Sequence, residues 1–553
     1  MGLLALYSTL LSIGQTSSRI TGTVVSGGDN KPVQSATIQI LPGARKVVSD
    51  SKGNFSFLLE DAKSIIVSNV GFLAFEKEIG TETNLQITLD PSPASMQDVV
   101  VVGYSQQKKV NLTGAVQTVR FTDAVNQPVT NSAQLMYGKF SGVQLTQSNG
   151  LPGNDNSNIV IRGIGSFGST TPLVVIDNMQ YNGLAEFNNL APTDIETISV
   201  LKDASASAIY GARGANGVIL ITTKKGKKGK SSFDYNNYFG IQRVTVVPEY
   251  LDALNYALLR NERDLNANGP TAPLRFDAAA IEAIRTGSDP EKYGNTNWAE
   301  TLLQDAPIQQ HYMSFSGGGD NTTFRISAGY LSQDAIVQGK FKNKRYSMGI
   351  AINNKSNNWL SVAFNSNSYW AKFTGPAGGP DAITGETGII NQFQRSSPVV
   401  PNYYPNGEYG FVDGAYQNVN FSYPINHGLF RGNYGDYEND NINTSNRLGI
   451  TANFLKDFSF EISGSININS NNTSNFSPTR IDRDWDGNVV NQSDVNQLTN
   501  EYGVYYRLQN ENLLRYQKDL GDHKISAMAG YSAIYDRTDG FRGSLQGFPS
   551  NSI

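Results

Sequence analysis

Apolar and polar residues alternate along most of this chain, and the alternation changes character partway through. From Ile20 to Leu59 the runs are short. Ile20, Gly22 and Val24 alternate with Thr21, Thr23 and Val25, followed by Ala36, Ile38 and Ile40, then Phe55, Phe57 and Leu59. Turn residues separate them, at Gly27-Gly28-Asp29-Asn30, Asp50-Ser51-Lys52-Gly53 and Gly71. This spacing predicts a small β-sandwich over residues 19–95. Past position 230 the runs lengthen and alternate strictly. Phe324, Ile326, Ala328 and Tyr330 oppose Thr323, Arg325, Ser327 and Gly329. Tyr346, Met348, Ile350 and Ile352 form a second apolar face, and Phe458, Phe460, Ile462, Ile466 and Ile468 a third. Long strands with one apolar face predict an antiparallel transmembrane β-barrel over 231–553, of about nine strands.

The connections carry the same signal. Residues 317–321, 354–357, 455–457 and 520–522 read as tight turns, whereas 245–307, 335–341, 372–441 and 472–502 read as long connections. Strict alternation of short and long is what periplasmic turns and external loops impose on an outer-membrane barrel. Tyr330, Tyr346, Trp370 and Tyr531 supply interfacial aromatics. An odd count of about nine strands leaves a sheet edge that lipid cannot solvate, so the sequence reads as part of a longer chain.

Between these regions, residues 111–230 read as a compact α/β unit. Strands are expected at 159–161, 173–176, 195–201 and 218–222, and short helices at 132–139 and 204–210, the second capped by Asp203 and stopped by Gly211. Ahead of it, Pro91-Ser92-Pro93 makes a stiff linker. Asp98-Val99-Val100-Val101-Val102-Gly103-Tyr104 is strongly extended, suited either to adding a strand to a partner's sheet or to one more sandwich strand. The short apolar run inside residues 1–18 reads as a secretory signal without a basic n-region.

Composition narrows the chemistry. No cysteine occurs, and the three histidines, His311, His427 and His523, have no metal-ligand spacing. A formal charge of −4 gives no polybasic field for nucleic acid. No catalytic pair can be argued from spacing, so the chain is read as a non-enzyme. Gly163-Ile164-Gly165-Ser166-Phe167-Gly168 matches G-x-G-x-x-G, but a strand rather than a helix follows it, which predicts a turn. Arg162 and Arg213 sit beside glycines, and burial against Glu196 or Asp203 is expected, with a latch to the barrel wall as the second reading. Asp482, Asp484, Asp486 and Asn488 have the D-x-D-x-D-G spacing of a calcium loop, although Ser493 stands where its bidentate Glu belongs. The basic run Lys224 to Lys230 is expected to be a solvated hinge between the α/β unit and the barrel.

Two resemblances organise these readings. Gly22, Pro32-Val33, Ser49-Asp50, Gly53, Phe55 and Gly71-Phe72 resemble the carboxypeptidase-regulatory-like domain. Leu112-Thr113-Gly114, Pro152-Gly153, Arg162-Gly163, Val174-Val175-Ile176-Asp177, Leu201-Lys202-Asp203-Ala204 and Tyr210-Gly211-Ala212-Arg213-Gly214-Ala215-Asn216-Gly217 resemble the plug of SusC/RagA-type TonB-dependent outer-membrane transporters. That resemblance implies a plug at 111–230 with Arg162, Gly163, Asp177, Arg213, Gly214, Asn216 and Gly217 as its framework. It also implies a TonB box at Asp98 to Tyr104 within the 96–110 linker, and a barrel of about 22 strands. Implied partners are a TonB-like energy transducer, a SusD-like surface lipoprotein, outer-membrane lipid, and an oligosaccharide or peptide substrate. No organic cofactor is implied. A passive porin or an adhesin anchored by the barrel is the competing expectation.

Overall fold

Alternating sequence is realised twice in this protein, with opposite polarity. The computed structural model describes residues 19–27, 31–42, 45–59, 62–69, 72–80, 82–90, 99–102, 105–108, 115–121, 128–147, 149–165, 167–385, 388–405, 407–410, 427–483, 487–521 and 523–551. The chain divides into two units, Met1–Thr113 and Gly114–Ile553.

In the first unit, apolar side chains point inward. Strands β1 (Arg19–Ser26), β2 (Thr37–Leu41), β3 (Lys46–Val48), β4 (Asn54–Leu58), β5 (Ser64–Ser68), β6 (Phe75–Glu78) and β7 (Asn84–Leu89) form two sheets, ordered β4-β1-β7 and β3-β2-β5-β6. Ile20, Val24, Ile38, Ile40, Ile65, Val67, Leu85 and Ile87 are buried between them. Every second residue of β1, β2, β4, β5 and β7 faces this core, as the period of two requires. Ser49 is buried too; its hydroxyl accepts from the Ala36 N–H and donates to the Val33 carbonyl. A separate hairpin joins β8 (Val99–Val102) to β9 (Ser105–Lys108).

The second unit begins with the α/β plug. Its strands are β10 (Val116–Arg120), β11 (Val143–Gln147), β12 (Ser157–Ile161), β13 (Leu173–Ile176), β14 (Met179–Tyr181), β15 (Ile195–Leu201) and β16 (Val218–Thr223). Five of them make a mixed sheet, β10-β15-β16-β13-β14, in which β13 and β16 run parallel. The expected helix after Asp203 is present at Ala204–Ser207. The Asp203 carboxylate accepts from the Ala206 N–H, and Gly211, at φ 59°, breaks the following turns. The core, from Phe121 to Ile221, draws only on plug residues.

Strands β17 (Gly229–Gln242), β18 (Ala306–Gly318), β19 (Thr322–Asp334), β20 (Lys342–Lys355), β21 (Leu360–Gly375), β22 (Asp436–Phe454), β23 (Phe458–Ser477), β26 (Gln497–Leu520) and β27 (His523–Gln546) form one antiparallel nine-stranded sheet. The short pair β24 (Arg480–Arg483) and β25 (Val489–Ser493) is a separate hairpin in the loop before β26. Here polarity inverts. Ile326, Met348, Ile442, Leu448 and Leu508 are exposed, while Arg325, Ser327, Asn365, Ser445, Asn467 and Arg507 are buried. Apolar groups outside and polar groups within is the solution for a sheet whose outer solvent is lipid. Luminal charge is matched in place: Glu461 takes Arg447 at 2.7 Å and Arg515 at 2.8 Å. On the outer face His311, Tyr330, Tyr346 and Trp370 are neighbours in register on four successive strands, with centroids 6.3, 5.1 and 5.3 Å apart. They form an aromatic row near the long-loop end.

Connections follow the expected alternation: short at 319–321, 356–359, 455–457 and 521–522, longer at 243–305, 335–341, 376–435 and 478–496, with 335–341 the shortest of the long set. The first long connection is not structureless. It carries helices Ala253–Asn268 and Ala278–Thr286, each capped by an aspartate, Asp252 and Asp277. Among the described residues no helix is long and apolar enough to cross a membrane.

Candidate functional site

The plug is fastened to the inner face of the sheet by polar side chains, and three joints stand out among the described residues. In the first, Pro192 opens a short 3-10 turn that ends at Asp194, directly before β15. The Asp194 carboxylate accepts from Tyr312 Oη at 2.5 Å, Arg325 Nη2 at 3.2 Å and Ser327 Oγ at 3.0 Å. All four residues are buried. Tyr312 lies opposite Gly329 on the next strand. The Asp194 carbonyl also accepts from the Lys224 N–H, tying this joint to the end of the plug's last strand.

In the second joint, Gln180 stands on β14, the edge strand of the plug sheet. An edge strand carries backbone groups that need partners. The wall provides them from side chains: Gln509 Oε1 accepts from the Gln180 N–H at 3.0 Å, and Arg507 Nη1 donates to its carbonyl at 2.6 Å. Arg507 is fully buried and forks onto Asp536 through Nε at 2.6 Å and Nη2 at 2.7 Å. Such a bidentate pair fixes the guanidinium in direction as well as charge.

The third joint lies near the long loops. Arg345 Nη2 donates to the Thr130 carbonyl at 3.0 Å, and the Thr130 hydroxyl donates to Asp155 at 2.5 Å. Burial pushes the Asp155 carboxyl above its usual range. Beyond it, the plug apex enters an apolar cluster built by the loops: Leu151 packs with Trp298, Leu302, Val337, Phe341 and Ile383.

Of the residues singled out from sequence, Asp177 clamps the end of β16, accepting from the Thr223 N–H at 3.0 Å and its hydroxyl at 2.6 Å. Asn216 donates to the carbonyls of Ser169 and Thr171, holding down the loop that begins at Gly163. Gly217, at φ 84°, has Ile161 and the Leu201 carbonyl where a side chain would go, and Gly214 lies against Ser207. The burial of Arg162 and Arg213 against Glu196 or Asp203 is not observed. Arg162 is exposed and makes no ion pair among the described residues. Arg213 reaches Asn182 at 3.2 Å and the wall's Asp536 at 3.8 Å, which is the latch geometry. Asp203 is occupied by backbone donors: the N–H groups of Ala115 and Ala206 hold its carboxyl below the usual range. In the segment expected to be a TonB box, Val99 to Val102 form β8, while Asp98, Gly103 and Tyr104 lie outside the described residues. In the calcium-like loop Asp482 pairs with Arg480 at 2.7 Å and Asn488 is exposed; Asp484 and Asp486 lie outside the described residues. The seat residues Asp194, Gln180, Arg325 and Arg507 carried no sequence signal, because each joint links positions far apart in the chain.

A small stopper held by polar contacts against the inner face of an inside-out β-sheet defines a plugged membrane-barrel protein. Residues 108–218 match the TonB-dependent Receptor Plug Domain family, and residues 20–101 match the CarboxypepD_reg-like domain family. The chain is 32% identical over 541 residues to TonB-dependent receptor P26 of Formosa agariphila, covering 93% of this chain and 48% of that protein. It is 30% identical over 431 residues to TonB-dependent receptor SusC of Bacteroides thetaiotaomicron, covering 76% of this chain and 40% of that one. Its fold resembles the RagAB peptide importer in the open-open state, with a TM-score of 0.65 at 24% identity over 82% of this chain and 50% of that one. These matches support a SusC/RagA-type TonB-dependent receptor. The chain spans about half the length of the curated relatives it matches.

Proposed function

We propose that the protein takes part in TonB-dependent import across the outer membrane. A substrate captured outside, an oligosaccharide or a peptide, passes once the plug is displaced. The observation that carries this reading is the contrast between the plug's two kinds of contact. Its apolar core is closed on itself, so the domain keeps its integrity when moved. Its seat against the wall is polar at Asp194, Gln180 and Thr130, groups that water can satisfy once they separate. A stopper built this way can be shifted without being unfolded.

The displacing force is assigned to a TonB-like partner that adds a strand at Asp98 to Tyr104. Four consecutive valines favour the extended chain this requires, and main-chain bonds would supply the affinity. A SusD-like lipoprotein is the proposed outer partner, by likeness to the family. The test is deletion of residues 98–104 in the full-length receptor. Uptake should be lost while substrate binding at the cell surface persists; undiminished uptake would refute the mechanism.

A further inference from the structure

On the short-turn side of the plug, a cavity of about 800 Å³ opens between the plug, the linker after β16 and the inner faces of β17 to β19. Its lining is strongly cationic. Arg120 lies at the end of β10, and Lys224, Lys225, Lys227 and Lys230 follow β16. None of these five makes an ion pair among the described residues. Two further cations on the lining are already committed, Arg325 to Asp194 and Lys228 to Asp320. Only two carboxylates, Glu196 and Asp234, share the lining. The opposite wall offers hydroxyl and amide groups from Ser232, Asn236, Ser314 and Ser316.

Two observations separate this cluster from a merely solvated basic run. The linker is pinned: a Cβ at Gly226 would overlap the backbone of Phe324 on β19, so the chain between Lys225 and Lys227 is pressed onto the wall. The lysines are thus presented on a fixed strap, and less ordering is left for a ligand to impose. Lys224 is also partly desolvated. Burial, with the like charge of Arg325 beside it, outweighs the carboxylates of Asp194, Glu196 and Asp234 and holds its ammonium below the usual lysine range. A cation in that condition gains from an anion placed next to it.

We propose that this cavity is a binding site for an anion rich in carboxylate, sulfate or phosphate oxygens. On the import reading, it is where the acidic groups of a substrate rest after passing the plug. The assignment deepens that reading but is tested without it. Binding is measured by titration calorimetry on the full-length receptor in detergent at low salt. The probes are trigalacturonate, pyrophosphate and, as a neutral control, maltotriose. The test variant is Lys225→Gln/Lys227→Gln/Lys230→Gln, whose side chains are exposed and outside every core. The control is Lys355→Gln/Lys456→Gln, exposed lysines at neighbouring short turns.

Binding of an anion but not maltotriose, weakened about tenfold or more in the triple variant alone, supports the site. Trigalacturonate alone assigns it to an acidic saccharide in transit, and pyrophosphate alone to free phosphate. Binding of neither anion, or equal loss in the control, overturns the proposal. Because no energised partner is present, failure of import would leave these results unchanged.

Discussion

Asp194 of the plug and Arg325 of the barrel wall meet at 3.2 Å with side chains only 10% and 8% exposed, and each depends on the other for its charge to be tolerated. Removing one partner leaves the other largely buried without its counter-charge. Asp194→Asn in the full-length receptor is expected to destabilise the plug seat by about 3 kcal/mol. The pair Asp194→Leu with Arg325→Met should cost less than either single change. Urea unfolding followed by accessibility of a cysteine placed in the plug distinguishes loosening from global unfolding. Additive costs in the double variant would mean that the pair is not coupled.

The two arginines near Asp536 should behave very differently. Arg507 is buried and satisfies both Asp536 and the Gln180 carbonyl, so Arg507→Met should cost about 3 kcal/mol. Arg213 is more than a third exposed and stands 3.8 Å from the same carboxylate, so Arg213→Ala should change stability by about 0.5 kcal/mol or less. Matched denaturation curves of the two variants check this ordering.

His427 should give the surface loops an acid sensitivity. It is buried against the Trp298 and Tyr409 rings, and its Nδ1 accepts from the Leu429 N–H that opens helix Gly428–Asn433. Burial pushes its imidazole down to about 4. The unfolded loop, with a value near 6.5, therefore binds a proton that the folded loop refuses. Loop stability should be full above about pH 6.5 and fall as the pH drops toward 4. Hydrogen exchange across 428–433 should accelerate through that window, and His427→Gln should flatten the dependence.

Gly226→Val should lift the linker from β19, because any side chain there meets the Phe324 backbone. A cost of about 1–3 kcal/mol is expected, together with faster amide exchange at residues 224–228. Unchanged exchange would show that the linker accommodates the side chain elsewhere.

Strand polarity made the barrel legible before any coordinates, since a period of two fixes which side of a strand is wet. Turn and cap chemistry did the same for Asp203 and Gly211 in the plug. The helix capped by Asp252 carries an N-cap signal, but it lies in a long connection between strands whose alternation dominates the pattern. The seat was not legible. Asp194 and Arg325 are 131 positions apart, and nothing local marks either as a partner. Arg213 shows the converse error: flanking glycines promised burial, but its partner Asp536 belongs to a different domain.

Leu151 sits in the same greasy cluster as Trp298 and Phe341, so the tip of the stopper is part of the scaffold that shapes the receptor's outward face. On the import reading, drawing the stopper inward would pull that tip out and leave a hole among the loops. The outer surface is then obliged to rearrange at the moment the inner passage clears. On that reading, clearing the inner passage and remodelling the outer surface would be one event.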